Sequence, residues 1–126
     1  MFDKFSLEKT GVDSRGSTFK AVIAGKEYLF LEMRKGALRG GHYHDRETLH
    51  LVLSGRIKFE IADPFTAEQT EIVARPMEAV LVTAGKAHLL EALEDSMFME
   101  SLDKEKSTVD FEPQRARVKK YLEGSN

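Results

Sequence analysis

The chain has 126 residues, of which 41% are hydrophobic and 32% charged, so it can bury one core and is too short for a second. Nineteen basic and 21 acidic residues give a net charge of −2, which argues against nucleic acid as the main partner. The lack of cysteine excludes disulfides, thiolate ligands and cysteine nucleophiles. We expect a cytoplasmic protein without a membrane partner, because residues 1–4 do not resemble a signal peptide and no segment approaches the roughly 20 apolar residues of a membrane helix.

Short β-like segments alternate with turn residues from about residue 15 to residue 103. This close spacing is typical of a sandwich or barrel, and the short connections predict that consecutive strands pair antiparallel. Two-residue turns at Gly25-Lys26 and Ser54-Gly55 predict two β-hairpins. The predicted strands are residues 18–24, 27–34, 49–53, 56–62, 71–74, 79–82, 87–93 and 96–102.

A short helix is predicted near the C-terminus, over about residues 113–122. Pro113 suits its first turn and Gly124 ends the run. The polar stretch before it, residues 103–108, indicates a flexible connector. The chain is therefore expected to form a single all-β domain over residues 1–126 with a C-terminal helix. We interpret the basic residues of the helix as a solvated face without function; these are Arg115, Arg117, Lys119 and Lys120.

Two histidines lie one residue apart in the segment His42-Tyr43-His44. On a β-strand, alternate side chains share a face, so one further imidazole brought over by the fold completes a three-nitrogen metal site. His88, which follows an apolar run, is the candidate. Neutral imidazoles suit a divalent ion such as Fe, Ni, Mn, Cu or Zn, and the positions left open bind substrate.

The histidine pattern resembles the two sequence motifs of the cupin superfamily, over about half of the chain. The glutamate of the first motif falls on Thr48, and Met77, Thr83 and Ala92 replace the glycine, proline and asparagine of the second. The resemblance implies a cupin domain, an antiparallel β-barrel or jelly roll, with a histidine metal site inside its mouth. The matching residues are Gly36, His42, His44 and Gly55 in the first motif, and Gly85 and His88 in the second.

The fourth metal ligand is open among three residues. If Thr48 faces inward, strand alternation turns His50 inward as well and Glu47 outward, unless a β-bulge shifts the register. Taken alone, His50 is more simply a buried core histidine, and Glu47 a solvated turn carboxylate. Three histidines completed by water are also chemically sufficient.

Arg39 precedes the histidines in the segment Arg39-Gly40-Gly41-His42, which resembles the Arg-Gly-x-His segment of the metal-free sugar-nucleotide epimerases and ketoisomerases within the cupins. That resemblance implies that Arg39 binds an anionic group and that His42 removes a proton beside a carbonyl, with His44 or Tyr43 returning it. Two points oppose this metal-free hypothesis: it gives His88 no role, and the chain is short for an enzyme that encloses a nucleotide sugar. An ion pair between Arg39 and a surface carboxylate is an equally simple reading.

Three functions fit these patterns. The first is a divalent-metal enzyme of the oxygenase or isomerase type, acting on a small polar molecule. The second is the metal-free epimerase or isomerase that uses Arg39 and His42, and the third is a non-catalytic barrel that binds a small ligand. A homodimer is expected because open sheet edges and the outward-facing leucines Leu49, Leu51 and Leu53 need cover.

Overall fold

The computed structural model describes residues 4–103 and 105–124; residues 1–3, 104 and 125–126 of the expected single domain lie outside the described residues. The described chain forms eleven β-strands and one α-helix. No helix in it is long and apolar enough to cross a membrane. The strands are β1 Glu8–Asp13, β2 Gly16–Ile23, β3 Lys26–Met33, β4 Leu38–His44, β5 Thr48–Ser54, β6 Ile57–Ala62, β7 Gln69–Ala74, β8 Ala79–Val82, β9 Ala87–Ala92, β10 Ser96–Leu102 and β11 Thr108–Asp110, and the helix is α1 Glu112–Gly124.

The strands form two antiparallel sheets that pack face to face. Sheet A has the order β1-β2-β3-β10-β5-β8, and sheet B has the order β11-β4-β9-β6-β7. Every strand pair described is antiparallel. Only β1–β2, β2–β3 and β6–β7 are consecutive in the chain, so the prediction that consecutive strands pair is wrong for the other connections. The all-β jelly-roll prediction with a short C-terminal helix is therefore confirmed, although β1 and β11 lie outside the range expected for strands.

One of the two predicted hairpins is present and the other is wrong. Strands β2 and β3 pair with Ile23 opposite Lys26, and both turn residues, Ala24 and Gly25, have positive φ, as in the tight turns that match strand twist. The Ser54-Gly55 turn instead carries the chain from sheet A to sheet B. Both edges of β5 are paired, with β10 and β8, and both edges of β6 are paired, with β7 and β9, so the two strands leave no edge to each other.

The hydrophobic core fills the space between the sheets. Phe59 from sheet B and Phe98 from sheet A are its largest buried side chains. Burial of this kind contributes roughly 25 cal/mol per Å² of apolar surface and holds the two sheets together. The cluster comprises Leu31, Met33, Ala37, Val52, Ile57, Phe59, Ala74, Val80, Val82, Leu90, Ala92 and Phe98.

Helix α1 packs on the outer face of sheet B. Glu60 alternates with core residues of β6 and is nonetheless buried, because the helix covers it. Arg117 Nη1 donates to Glu60 Oε1 at 2.9 Å, and Gln114 Nε2 donates to the Glu60 backbone oxygen at 3.2 Å. Val118 is fully buried. The prediction that the basic residues of this helix form only a solvated face is therefore wrong for Arg117.

The close approach of α1 to β4 is tested by Gly41→Ala. Gly41 has a φ of +87°, and a Cβ there would lie 2.8 Å from the backbone of Arg115. Gly36 has the same φ, but its Cβ would meet no described atom within 4 Å, so Gly36→Ala is a matched control for backbone strain alone. We expect Gly36→Ala to cost about 1–2 kcal/mol in the free energy of unfolding, and Gly41→Ala at least about 2 kcal/mol more. Equal losses in urea titrations would show that α1 does not lie against Gly41.

Candidate metal centre

Three of the four histidines converge at one point between the sheets. His42 and His44 project from the same face of β4, and His88 lies opposite His42 on the neighbouring strand β9. The ring centroids are 4.8 Å apart for His42 and His44, 5.1 Å for His42 and His88, and 5.4 Å for His44 and His88. One nitrogen from each ring lies within 4.8 Å of the other two, a grouping that suits a metal ion. The fold thus brings together the three residues that the spacing suggested.

The three imidazoles are electrically neutral at physiological pH. Burial, reinforced by the neighbouring His44, lowers the pKa of His42 to about 4. Burial and the surrounding histidines lower the pKa of His88 to about 3, and burial also lowers the pKa of His44. A metal ligand needs the lone pair of a neutral imidazole, so protons do not compete for these nitrogens near pH 7.

His44 is oriented by strand β11. Its Nδ1 lies 3.2 Å from the backbone oxygen of Ser107 and 3.0 Å from Thr108 Oγ1. A carbonyl oxygen only accepts, so Nδ1 carries the hydrogen and Nε2 keeps a free lone pair. Such a hydrogen bond on the distal nitrogen is typical of metal-binding histidines. The sequence analysis missed this contact, because it interpreted residues 103–108 as a flexible connector.

Strand β5 decides which fourth residue reaches the cluster. Thr48 and His50 are almost fully buried, whereas Glu47 is exposed at a turn and is not brought to the histidines. The alternation that places Thr48 inward therefore holds, and Thr48 occupies the position of the motif glutamate. Its Oγ1 is buried and has no hydrogen-bond partner among the residues described. His50 lies beside His88, with ring centroids 5.4 Å apart, but does not belong to the three-histidine group.

His50 is paired with a carboxylate that the sequence analysis missed. Its Nε2 lies 3.3 Å from Glu100 Oε2, and Glu100 is directly opposite His50 where β10 pairs with β5. Burial opposes ionisation of Glu100, but the hydrogen bond and charge of His50 outweigh it and lower the pKa of the carboxyl group. A signal was available in the sequence, because Glu100 is the single charged residue of β10 and directly follows the apolar run Met97-Phe98-Met99.

A cavity of about 190 Å³ opens beside the histidine cluster. Arg39 lies in its wall, is only 8% exposed, and donates from Nη2 to the backbone oxygen of Glu32 at 3.1 Å. Burial, followed by the nearby charge of Arg15, lowers the pKa of Arg39 to about 10, so the guanidinium stays charged at neutral pH. Alternation directs Tyr43 to the face of β4 opposite the histidines. The cavity is lined by Arg15, Leu31, Arg39, Gly40, His42, His50, His88, Leu90, Phe98, Glu100 and Arg115.

The depressed histidine pKa values make the metal-free protein sensitive to acid. Below its ordinary pKa of 6.5, His88 takes up a proton in the unfolded chain, while the folded state resists protonation down to about pH 3. The contribution of neutral His88 to the free energy of unfolding is therefore fully present above pH 6.5. It falls as the pH drops, by up to about 2 kcal/mol at pH 5. Between pH 7.5 and pH 5, we expect the free energy of unfolding to fall by about 1–2 kcal/mol less in His88→Gln than in the parent. Urea titrations with a chelator present measure both. The same loss in both proteins would contradict the buried neutral state of His88.

No protein-family model matches the chain, and no curated protein matches it. Solved structures do. The capsular polysaccharide assembling protein CapF from Staphylococcus aureus superposes with a TM-score of 0.70 and 19% identity, covering 85% of this chain and 34% of CapF. Oxalate decarboxylase from Bacillus subtilis gives a TM-score of 0.64 and 14% identity over 84% of this chain and 30% of the enzyme.

A third similar structure is the hydroquinone 1,2-dioxygenase PnpCD in complex with Cd²⁺ and 4-hydroxybenzonitrile, with a TM-score of 0.56 and 11% identity. It covers 63% of this chain and 58% of that one. The chain thus spans about a third of the length of CapF and of the decarboxylase. At these identities the likeness concerns the fold, and it agrees with the two antiparallel sheets and the inward-facing histidines: the chain has the cupin fold.

Proposed function

We propose that His42, His44 and His88 hold a divalent metal ion with which the protein binds and transforms a small polar molecule in the adjacent cavity. The convergence of three neutral imidazoles from two adjacent strands carries this proposal. His44 already has the distal hydrogen bond expected of a ligand. The metal also gives His88 a role, because a buried imidazole beside two others has no evident structural purpose.

The chain supplies three uncharged ligands and no carboxylate at the position of Thr48. A divalent ion held there keeps its full charge of +2, which favours anionic or strongly polar ligands. When bound, such an ion supplies Lewis-acid polarisation of substrate oxygens. His42 and His88 line both the cluster and the cavity, so they place a bound molecule next to the metal position.

Proton transfer in this site falls to Glu100. Its carboxylate lines the cavity, is held by His50 Nε2, and is ionised because its pKa is lowered. An ionised carboxylate on the wall of a cavity accepts a proton from a bound substrate at Oε1 or Oε2. His50 fixes the direction of that carboxylate, and the rings of Phe59 and Phe98 pack around His50.

The metal-free epimerase hypothesis finds one observation in its favour, since Arg39 and His42 line the same cavity. The size of the cavity opposes it. At about 190 Å³ it is smaller than the roughly 300–1,000 Å³ typical of drug-sized ligands, which favours a ligand smaller than a nucleotide sugar. The metal-dependent reading is therefore the one we favour.

Metal content tests the proposal. Untagged protein reconstituted separately with Fe, Mn, Ni, Cu and Zn should retain close to one ion of at least one of these metals per chain, measured by elemental mass spectrometry. We expect the triple variant His42→Ala, His44→Ala, His88→Ala to lose it, and His50→Gln, which changes a neighbouring histidine outside the group, to keep it. No retained metal under any of these conditions would contradict the proposal and favour the metal-free enzyme. Retained metal without turnover of small oxygen-containing substrates would favour a binding barrel.

We also propose that a second copy of the chain covers the outer face of sheet A. A row of apolar side chains crosses five strands of this face, each directly opposite the next, and Leu49 and Leu81 beside it are 39% and 51% exposed. Apolar rows of this kind pair with themselves across a two-fold axis in homodimers. The row consists of Phe19, Phe30, Met99, Leu51 and Ala79.

Light scattering tests the dimer. We expect the parent to have twice the chain mass and Leu51→Lys, which places a charge within the row, to have the mass of one chain. Val73→Lys makes the same kind of change on sheet B, at an exposed residue, and should leave the dimer intact. A monomeric parent, or a Leu51→Lys variant that stays dimeric, would contradict this interface.

A further inference from the structure

We propose that the molecule bound in the cavity is a small carboxylate, clamped between Arg39 and Arg115, so that the C-terminal helix forms part of the ligand site. This inference rests on the proposed function, because it names the ligand class of the same site. Its observations are separate from the histidine cluster, and they concern two guanidinium groups that reach the cavity from different elements.

Arg39 is a buried cation with unused hydrogen-bonding capacity. More than nine-tenths of its surface is buried, and its Nε finds no acceptor in the part of the chain that the structure describes. The carboxylates nearby are engaged, since Glu100 accepts from His50 and Asp13 is bound by Arg15. Asp13 and Glu100 stabilise the charge of Arg39 from a distance, but neither forms an ion pair with it in the described chain. A buried guanidinium without an ion pair is costly, and a bound anion reduces that cost.

Arg115 enters the same cavity from helix α1. Its Nη1 donates to the backbone oxygen of Gly40 at 3.0 Å, which fixes the guanidinium beside His42. A guanidinium carries five N–H donors in a planar fork, so this single bond leaves others for a ligand. Two such forks at one cavity match the two oxygens of a carboxylate.

The charge and volume of the cavity define the ligand class. Three arginines and one glutamate line it, and these four side chains carry a net charge of +2. A pocket with that balance concentrates anions. Its volume of about 190 Å³ equals that of roughly six water molecules, which suits a short mono- or dicarboxylic acid.

The docking of α1 sets the position of Arg115. Gly41 allows the helix backbone to approach β4, and the Glu60–Arg117 ion pair at 2.9 Å holds the same helical turn to β6. Arg115 and Arg117 lie two residues apart, so a displacement of the helix at Arg117 also displaces Arg115. Glu60 is thus a positioning residue for the clamp, without itself touching the ligand.

Malonate binding to the full chain tests the clamp, with malonamide as the uncharged analogue of the same size. By isothermal titration of metal-free and metal-loaded protein, malonate should bind and malonamide should not. Arg39→Gln and Arg115→Gln each remove one charge-assisted contact and should weaken the affinity for malonate at least about tenfold. Lys119→Gln removes the same charge from an exposed site on the same helix and should leave the affinity unchanged.

Several outcomes overturn the inference: equal binding of malonamide, inorganic phosphate bound more tightly than malonate, or equal affinities in Arg115→Gln and Lys119→Gln. Arg39→Lys keeps the charge but removes the Nε donor. It replaces Arg39→Gln in the titration if circular dichroism shows that Arg39→Gln does not fold. Metal content is measured on every variant. Arginine-dependent malonate binding without metal would uphold the clamp while contradicting the proposed function, and metal binding without malonate binding would do the reverse.

Discussion

The close approach of strand β4 to strand β9 at Gly40 determines where the site residues lie. A Cβ at Gly40 would be 2.5 Å from the backbone oxygen of His88, and its φ of +99° is one that residues with side chains rarely adopt. The pairing shifts there: Gly40 is opposite Leu89, and His42, two residues on, is opposite His88. This bulge turns His42 toward His88. The next residue, Gly41, gives the helix the same freedom of approach on the other side of the strand, so adjacent glycines position both the imidazole cluster and Arg115.

Burial lowers the pKa of both the imidazoles and the guanidinium of this site, but it leaves the two kinds of group with different charges. It holds His42 and His88 neutral, because their ordinary pKa lies close to physiological pH. It also lowers the pKa of Arg39, but only to about 10, so that group stays cationic. One pocket therefore offers lone pairs to a cation and N–H donors to an anion. If the cluster holds a cation and the arginines an anion, Coulomb attraction makes each bind more tightly in the presence of the other.

The sequence was sufficient for the features that depend on periodicity and local spacing. Alternation in β4 and β5 correctly placed His42 and His44 on one face and Thr48 and His50 inward. What it missed depends on which strands become neighbours. The Ser54-Gly55 turn has the composition of a hairpin, yet it crosses between sheets, because both edges of β5 are paired with other strands, β8 and β10.

The same limit applies to residues whose roles arise from long-range pairing. Glu100 meets His50 only because β10 lies beside β5, and nothing in the 49 residues between them predicts that pairing. Arg115 looks like one of several solvated cations until α1 is placed on β4. Thr108 becomes a partner of His44 only through the three-residue strand β11, which is too short to carry a periodic signal.

Thr48 stands where the cupin motif has a glutamate, and this difference changes the chemistry that the site supports. A glutamate at that position would share the negative charge with the metal, whereas the carboxylate of this site, Glu100, is held on the cavity wall by His50. A carboxylate on the cavity wall, unlike one bound to the metal, stays within reach of a bound substrate. Thr48 keeps its hydroxyl buried and unpaired within the described chain, which leaves room for water or a ligand oxygen at the open position. If the three histidines of the cluster hold a metal ion as proposed, separating the negative charge from the ligands would leave the ion more electrophilic and the Glu100 carboxylate free to accept a proton from a bound ligand.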